Sequence, residues 1–179
     1  MYEKPNLLLS VMWIGAVLFG GVWLEIFFSG AVWPAPFFLP TVFYLMLIFG
    51  WCFVLWPAVA AGLMLDTALG RPFFAAATAT AMIALYCWRR PGRKGWDRYL
   101  ALAFPCLIIG LSYGVLVTAG ESVGLSYWGG LLHALPRGIL RAGITAAAAG
   151  PLIMRLLDEA AVRAELPGLV ANRPELYFE

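Results

Sequence analysis

The sequence predicts an all-α integral membrane protein, a six-helix transmembrane bundle, and three observations predict it. The 179 residues are 63% hydrophobic and only 12% charged, with a mean hydropathy of +0.84, whereas a soluble domain carries about 25% charged residues. Several runs approach the ~20 apolar residues that cross a bilayer. The remaining charges sit either in short stretches between those runs or singly inside them. No polar stretch is long enough to fold alone. One transmembrane domain, 7–157, is expected, followed by a cytoplasmic tail, 158–179.

The first run, Leu7 to Phe28, is longer than the about 7–15 residues of a signal-peptide core and is read as a retained helix. It holds a small-residue step, Ala16 and Gly20, and a carboxylate near its end, Glu25. After a proline-containing connection with Trp33 come two further runs, 37–53 and 54–69. Trp51, Trp56 and Pro57 mark the expected turn between them. A single helix over 37–69 would reach about 50 Å, too long without steep tilt. If the two merged, the count would fall to five spans and the N-terminus would move outside.

A tight hairpin follows: Asp66 just before a Gly70-Arg71-Pro72 turn, then an Ala- and Thr-rich run, 73–88. Residues 89–98 carry five basic side chains, Arg89, Arg90, Arg93, Lys94 and Arg98. The positive-inside rule places this loop in the cytoplasm, where it can also meet anionic lipid. Counting from it puts both termini in the cytoplasm. The fifth run, 99–117, has Pro105 as an expected kink, and the next loop carries Glu121. The last run, 131–157, is interrupted by His133, Arg137 and Arg141, four apart and so on one face. Gly138, Ala142, Ala146 and Gly150 form a parallel ladder of small residues, a groove for helix packing or for a partner helix. In the tail, 160–169 is expected to form a short amphipathic helix.

Arginine at mid-membrane costs ~2.5–3.5 kcal/mol on insertion scales, so Arg137 and Arg141 are expected to face inward. Depth counting puts Glu25, Asp66 and Arg137 in one half of the membrane and Arg141 near its midplane. An intramembrane charge cluster of Asp66, Arg137, Arg141 and Glu25 is expected, with Asp66–Arg137 as its main pair. His133 reads as an interfacial residue. Net charge is only +2, which gives nucleic acid no footprint. Cys52, Cys87 and Cys106 lie in apolar runs without metal-ligand spacing and read as small hydrophobes. Paired carboxylates, a nucleophile with its base, HExxH and a phosphate loop are all missing from the sequence. No catalytic residue, metal or cofactor is therefore expected.

The segment Gly62-Leu63-Met64-Leu65-Asp66, followed by Leu69-Gly70-Arg71-Pro72-Phe73, resembles the signature hairpin of the rod-shape-determining MreD family. Leu135-Pro136 and Pro151-Leu152-Ile153-Met154-Arg155-Leu156-Leu157 resemble that family's last helix. The resemblance implies a non-enzymatic scaffold subunit of the cell-elongation machinery in the bacterial inner membrane. It would bind the bitopic MreC-type scaffold. Through that protein it would reach the actin-like MreB filament and the peptidoglycan glycosyltransferase–transpeptidase pair. It also implies a fold resembling the substrate-binding component of energy-coupling-factor transporters. The alternative is a solute-binding subunit of a vitamin transporter, with a polar pocket lined by Glu25, Asp66, Glu121, Arg137 and Tyr113.

Overall fold

The computed structural model describes residues 7–29, 36–71, 74–89, 102–123 and 128–168, with side chains described for these except 89, 120–123 and 128–135. The basic stretch 90–98, Pro72 and Trp33, the side chains of Glu121 and His133, and the end of the tail lie outside the described residues. The described regular structure is helical: α1 (Leu7–Phe28), α2 (Phe38–Phe49), α3 (Trp51–Ala68), α4 (Ala75–Arg89), α5 (Ala103–Val123) and α6 (Trp128–Arg163). Three segments, α1, α3 and Pro136–Arg163 of α6, are long and apolar enough to cross a membrane, while α2, α4 and Ala103–Ala119 are shorter apolar helices.

The outer helices carry their large apolar side chains outward. Phe27 and Trp56 are 77% and 76% exposed, and Leu7, Met64, Phe104 and Leu152 are likewise exposed. In water so many exposed large apolar side chains would favour association; against acyl chains they are the expected solvent-facing side. The short helix α2 is the exception. Phe38 to Met46 are all buried, along with Ile48, and α2 touches all five other helices. The core therefore forms around α2, with Leu18, Val54, Leu65, Ala76 and Met154 packed about it.

The break between α2 and α3 is Gly50, not the expected Trp51–Pro57 stretch. Gly50 adopts φ 87°, ψ 146°, a conformation essentially confined to glycine. Pro57 lies inside α3 instead. Pro105 likewise falls in the first turn of α5, where a missing N–H is harmless, rather than at a mid-helix kink. The small-residue step on α1 also differs from expectation. Ala16 is exposed, and a methyl built on Gly20 would meet nothing within 4 Å.

The small-residue ladder of α6 lies against α5. A methyl added to Gly110 would fall 2.5 Å from both the Ala142 carbonyl oxygen and the Ala146 Cβ. One on Gly114 would lie 2.9 Å from the Ile139 Cα, and one on Gly150 2.6 Å from the Cys106 sulfur. Thr118 covers Gly138 in the same way. The ladder is thus the α5–α6 seam and is not open to a partner helix. Two helices approach this closely only where neither carries bulk.

No boundary falls at residue 157, since α6 runs unbroken to Arg163. It ends in a Schellman turn: the N–H of Leu166 donates to the Ala161 carbonyl at 2.9 Å and that of Glu165 to Val162 at 3.1 Å, with Glu165 at φ 58°. This turn replaces the amphipathic helix expected over 160–169. It returns Leu166 to the protein, where it is 4% exposed. Asp158, expected in a solvated tail, is 3% exposed and accepts a 3.4 Å hydrogen bond from the Tyr44 hydroxyl of α2.

Candidate polar site at the hairpin

The site begins with the turn that ends α3. Gly70, at φ 61°, takes the left-handed position, and two backbone bonds close the turn. The Gly70 N–H donates to Thr67 at 3.3 Å and the Arg71 N–H to Asp66 at 2.8 Å. This is a second Schellman motif. It satisfies carbonyls that would otherwise be orphaned in an apolar medium, and it fixes where the Arg71 side chain starts.

Asp66 works at both ends of this turn. Its carbonyl accepts the Arg71 N–H. Its carboxylate, 1% exposed, accepts the Ala76 N–H at 3.0 Å and 2.9 Å through its two oxygens, and the Ala77 N–H at 3.2 Å. These are donors from the first turn of α4, which have no partner within their own helix. A negative charge there also complements the helix dipole. Gly62, one turn earlier on α3, makes the approach possible, because a methyl at that position would sit 3.0 Å from the Ala77 nitrogen. The Gly62-x-x-x-Asp66 spacing is thus a docking notch followed by a cap.

Glu25 repeats the device at the start of α2. Its Oε2 accepts the Phe38 N–H at 3.0 Å, and Pro40, in the same first turn, has no N–H to satisfy. Oε1 accepts from Arg71 Nη1 at 2.7 Å and from the Tyr113 hydroxyl at 2.9 Å. Arg71 Nη1 also donates to the Tyr113 hydroxyl, and its guanidinium lies 5.3 Å from the centroid of that ring, within cation–π range. Glu25 is 3% exposed and Arg71 15%, so this ion pair is shielded from bulk solvent.

The expected charge cluster is therefore rearranged. Asp66 is not paired with Arg137, which is exposed on α6. The buried ion pair is Arg71–Glu25, and Asp66 is satisfied by backbone N–H groups instead. The other described ion pair, Arg155–Glu159 at 3.0 Å, is exposed. Glu25 and Arg141 do meet at one feature, a cavity of about 230 Å³ that they line with Arg71, Tyr113, Thr118 and Gly138. The sequence presents Arg71 only as a turn residue, but one signal points to more: Glu25 lies at the end of the first apolar run and Arg71 just after the third, so spans counted from the sequence put both at one face.

Both Glu25 oxygens are engaged, the nearby Ser112 hydroxyl donates to its own helix at Ile109, 2.9 Å away, and no three His, Cys, Asp or Glu side chains converge among the described residues. The arrangement can hold helices together and can present guanidinium donors to a small cavity. Compared with protein-family models, with curated proteins and with solved structures, the chain matches none.

Proposed function

We propose that this chain is a non-enzymatic, multi-pass scaffold subunit of a bacterial cell-elongation complex, similar to MreD. In this reading it lies in the cytoplasmic membrane with six spans and both termini inside, supporting cell shape and peptidoglycan synthesis by binding an MreC-type bitopic partner. One observation carries the reading. The hairpin residues on which the resemblance rests, Gly62, Asp66, Gly70 and Arg71, act as a single latch joining α3, α4, α1 and α5. A motif used to brace helices suits a rigid adaptor. The test is co-purification of the tagged chain from native membranes. Recovery of a single-span, coiled-coil-containing shape protein is expected, and its consistent absence under mild solubilisation would defeat the proposal. Because α5 fills the α6 ladder, a bulky substitution in it such as Ala146→Leu would test folding and not partner binding.

A second reading, a solute-binding membrane subunit, is favoured by the cavity at Glu25, Arg71, Tyr113 and Arg141. At about 230 Å³ it is smaller than the ~300–1,000 Å³ of drug-sized ligand pockets. It suits a small polar group better than a whole vitamin.

A further inference from the structure

We propose that this cavity binds a phosphate-type oxyanion, with Arg71 as its principal ligand. The proposal deepens the second reading in taking the cavity as a ligand site, and it requires neither transport nor the scaffold role.

The argument starts from unused donors. A guanidinium carries five N–H donors and no acceptor. Arg71 engages Glu25 and Tyr113 through Nη1 alone, which leaves Nη2 and Nε without a hydrogen-bond partner among the described residues. Neither nitrogen is sealed in protein, and the residue lines the cavity. Guanidinium donors that open onto such a cavity can gain a charge-assisted hydrogen bond from an anionic acceptor.

No described acceptor meets Nη2 or Nε. Glu25 reaches Arg71 at Nη1 alone, with its Oε2 turned to the Phe38 N–H, and the Thr118 hydroxyl is hydrogen-bonded to the Gly114 carbonyl of its own helix. A ligand that completes Arg71 must therefore bring acceptor oxygens. The described lining includes two guanidiniums, Arg71 and Arg141, beside the Glu25 carboxylate, and the Nη2 and Nε edge of Arg71 is the part that Glu25 leaves open. A planar guanidinium fork matches phosphate geometry, and the Glu25 and Tyr113 contacts hold the fork in place before anything binds.

Size and access agree with this chemistry. The cavity, about 230 Å³, has room for a phosphate-bearing group. It lies where the end of α1 faces α5 and α6: the α1 backbone packs on α2 and α3 and not on α5 or α6, and the Glu25 side chain reaches across to Tyr113. The remaining walls, Pro36, Gly114, Val117, Gly138 and Ala142, are apolar or small. The phosphate could arrive on an anionic phospholipid or as a free ion.

The test uses the full chain in nanodiscs of phosphatidylcholine alone, phosphatidylcholine with phosphatidylglycerol, and phosphatidylcholine with added inorganic phosphate. Native mass spectrometry reads retained lipid, and thermal unfolding reads protection. Selective retention of one phosphatidylglycerol identifies a lipid source; protection by inorganic phosphate without it identifies a free-ion source. Neither effect in the wild-type chain overturns the proposal. The charge-neutral Glu25→Gln/Arg71→Gln variant is expected to lose anion selectivity by about tenfold, ~1.4 kcal/mol, and unchanged selectivity in a folded double variant also overturns it. Should that variant not fold, Arg141→Gln, at the exposed rim, decides: weakened selectivity supports the site and unchanged selectivity refutes it. Partner recovery from the same membranes is scored separately. Loss of the partner with intact anion selectivity defeats only the scaffold reading.

Discussion

Replacing Asp66 by alanine removes the acceptor for two N–H groups in the first turn of α4. Each buried donor left unsatisfied costs about 1–3 kcal/mol, so Asp66→Ala should destabilise the protein by ~2–6 kcal/mol. Against the ~5–15 kcal/mol of a typical fold, that is enough to compromise it. Asp66→Asn keeps one acceptor oxygen and loses only the charge assistance, so its cost should fall to about 1–2 kcal/mol. Reversible unfolding in mixed micelles gives both values, and amide exchange should localise the loss to Ala76 and Ala77. The distinguishing arm is Arg137→Ala. If Asp66 is a helix cap, this change should cost no more than ~0.5 kcal/mol, as for a surface position, and the Asp66/Arg137 double-mutant cycle should close to within ~0.3–0.5 kcal/mol. A coupling above about 1 kcal/mol would mean that the two side chains meet, and the capping argument would fail.

Three further outcomes follow from the packing. Gly50→Ala forces a side chain into φ 87°, ψ 146° and should cost about 1–3 kcal/mol, measured as a shift in unfolding midpoint. Gly110→Ala drives a methyl to 2.5 Å from the Ala142 oxygen and Ala146 Cβ and should cost ~1–3 kcal/mol, whereas Gly20→Ala, with nothing within 4 Å, should be neutral or slightly stabilising. A membrane-permeant maleimide should label exposed Cys52 readily and buried Cys106 only on unfolding; equal labelling of the two in the folded protein would contradict the packing of α5 on α6.

Much of the helical layout was legible because apolar runs and their interruptions are local signals. The run Leu7–Phe28 is bounded by polar residues, and α1 occupies it. The Gly70 turn announces itself through Gly and Pro in sequence. The break at Gly50 was hidden because a lone glycine in an apolar run is chemically quiet, while the nearby Trp51, Trp56 and Pro57 draw attention. The site was harder to read for a different reason. Counting charges suggests that carboxylates seek arginines, but in a low-dielectric interior a helix N-terminus is an equally good partner, and backbone N–H groups leave no mark in the sequence. Asp66 and Glu25 both use one. The small-residue ladder of α6 was visible, yet its occupant was not, because Gly110 and Gly114 complete the seam from a different helix.

The Arg71 side chain turning back from the hairpin to meet Glu25 of α1 is the contact on which this account most depends. The direct measurement is a double-mutant cycle of Glu25→Gln and Arg71→Gln, read as unfolding free energy in lipid nanodiscs. A favourable coupling of about 1–3 kcal/mol is predicted, with each single variant more damaging than the neutral pair. Strict additivity, with both single changes nearly silent, would place these groups apart and contradict the site.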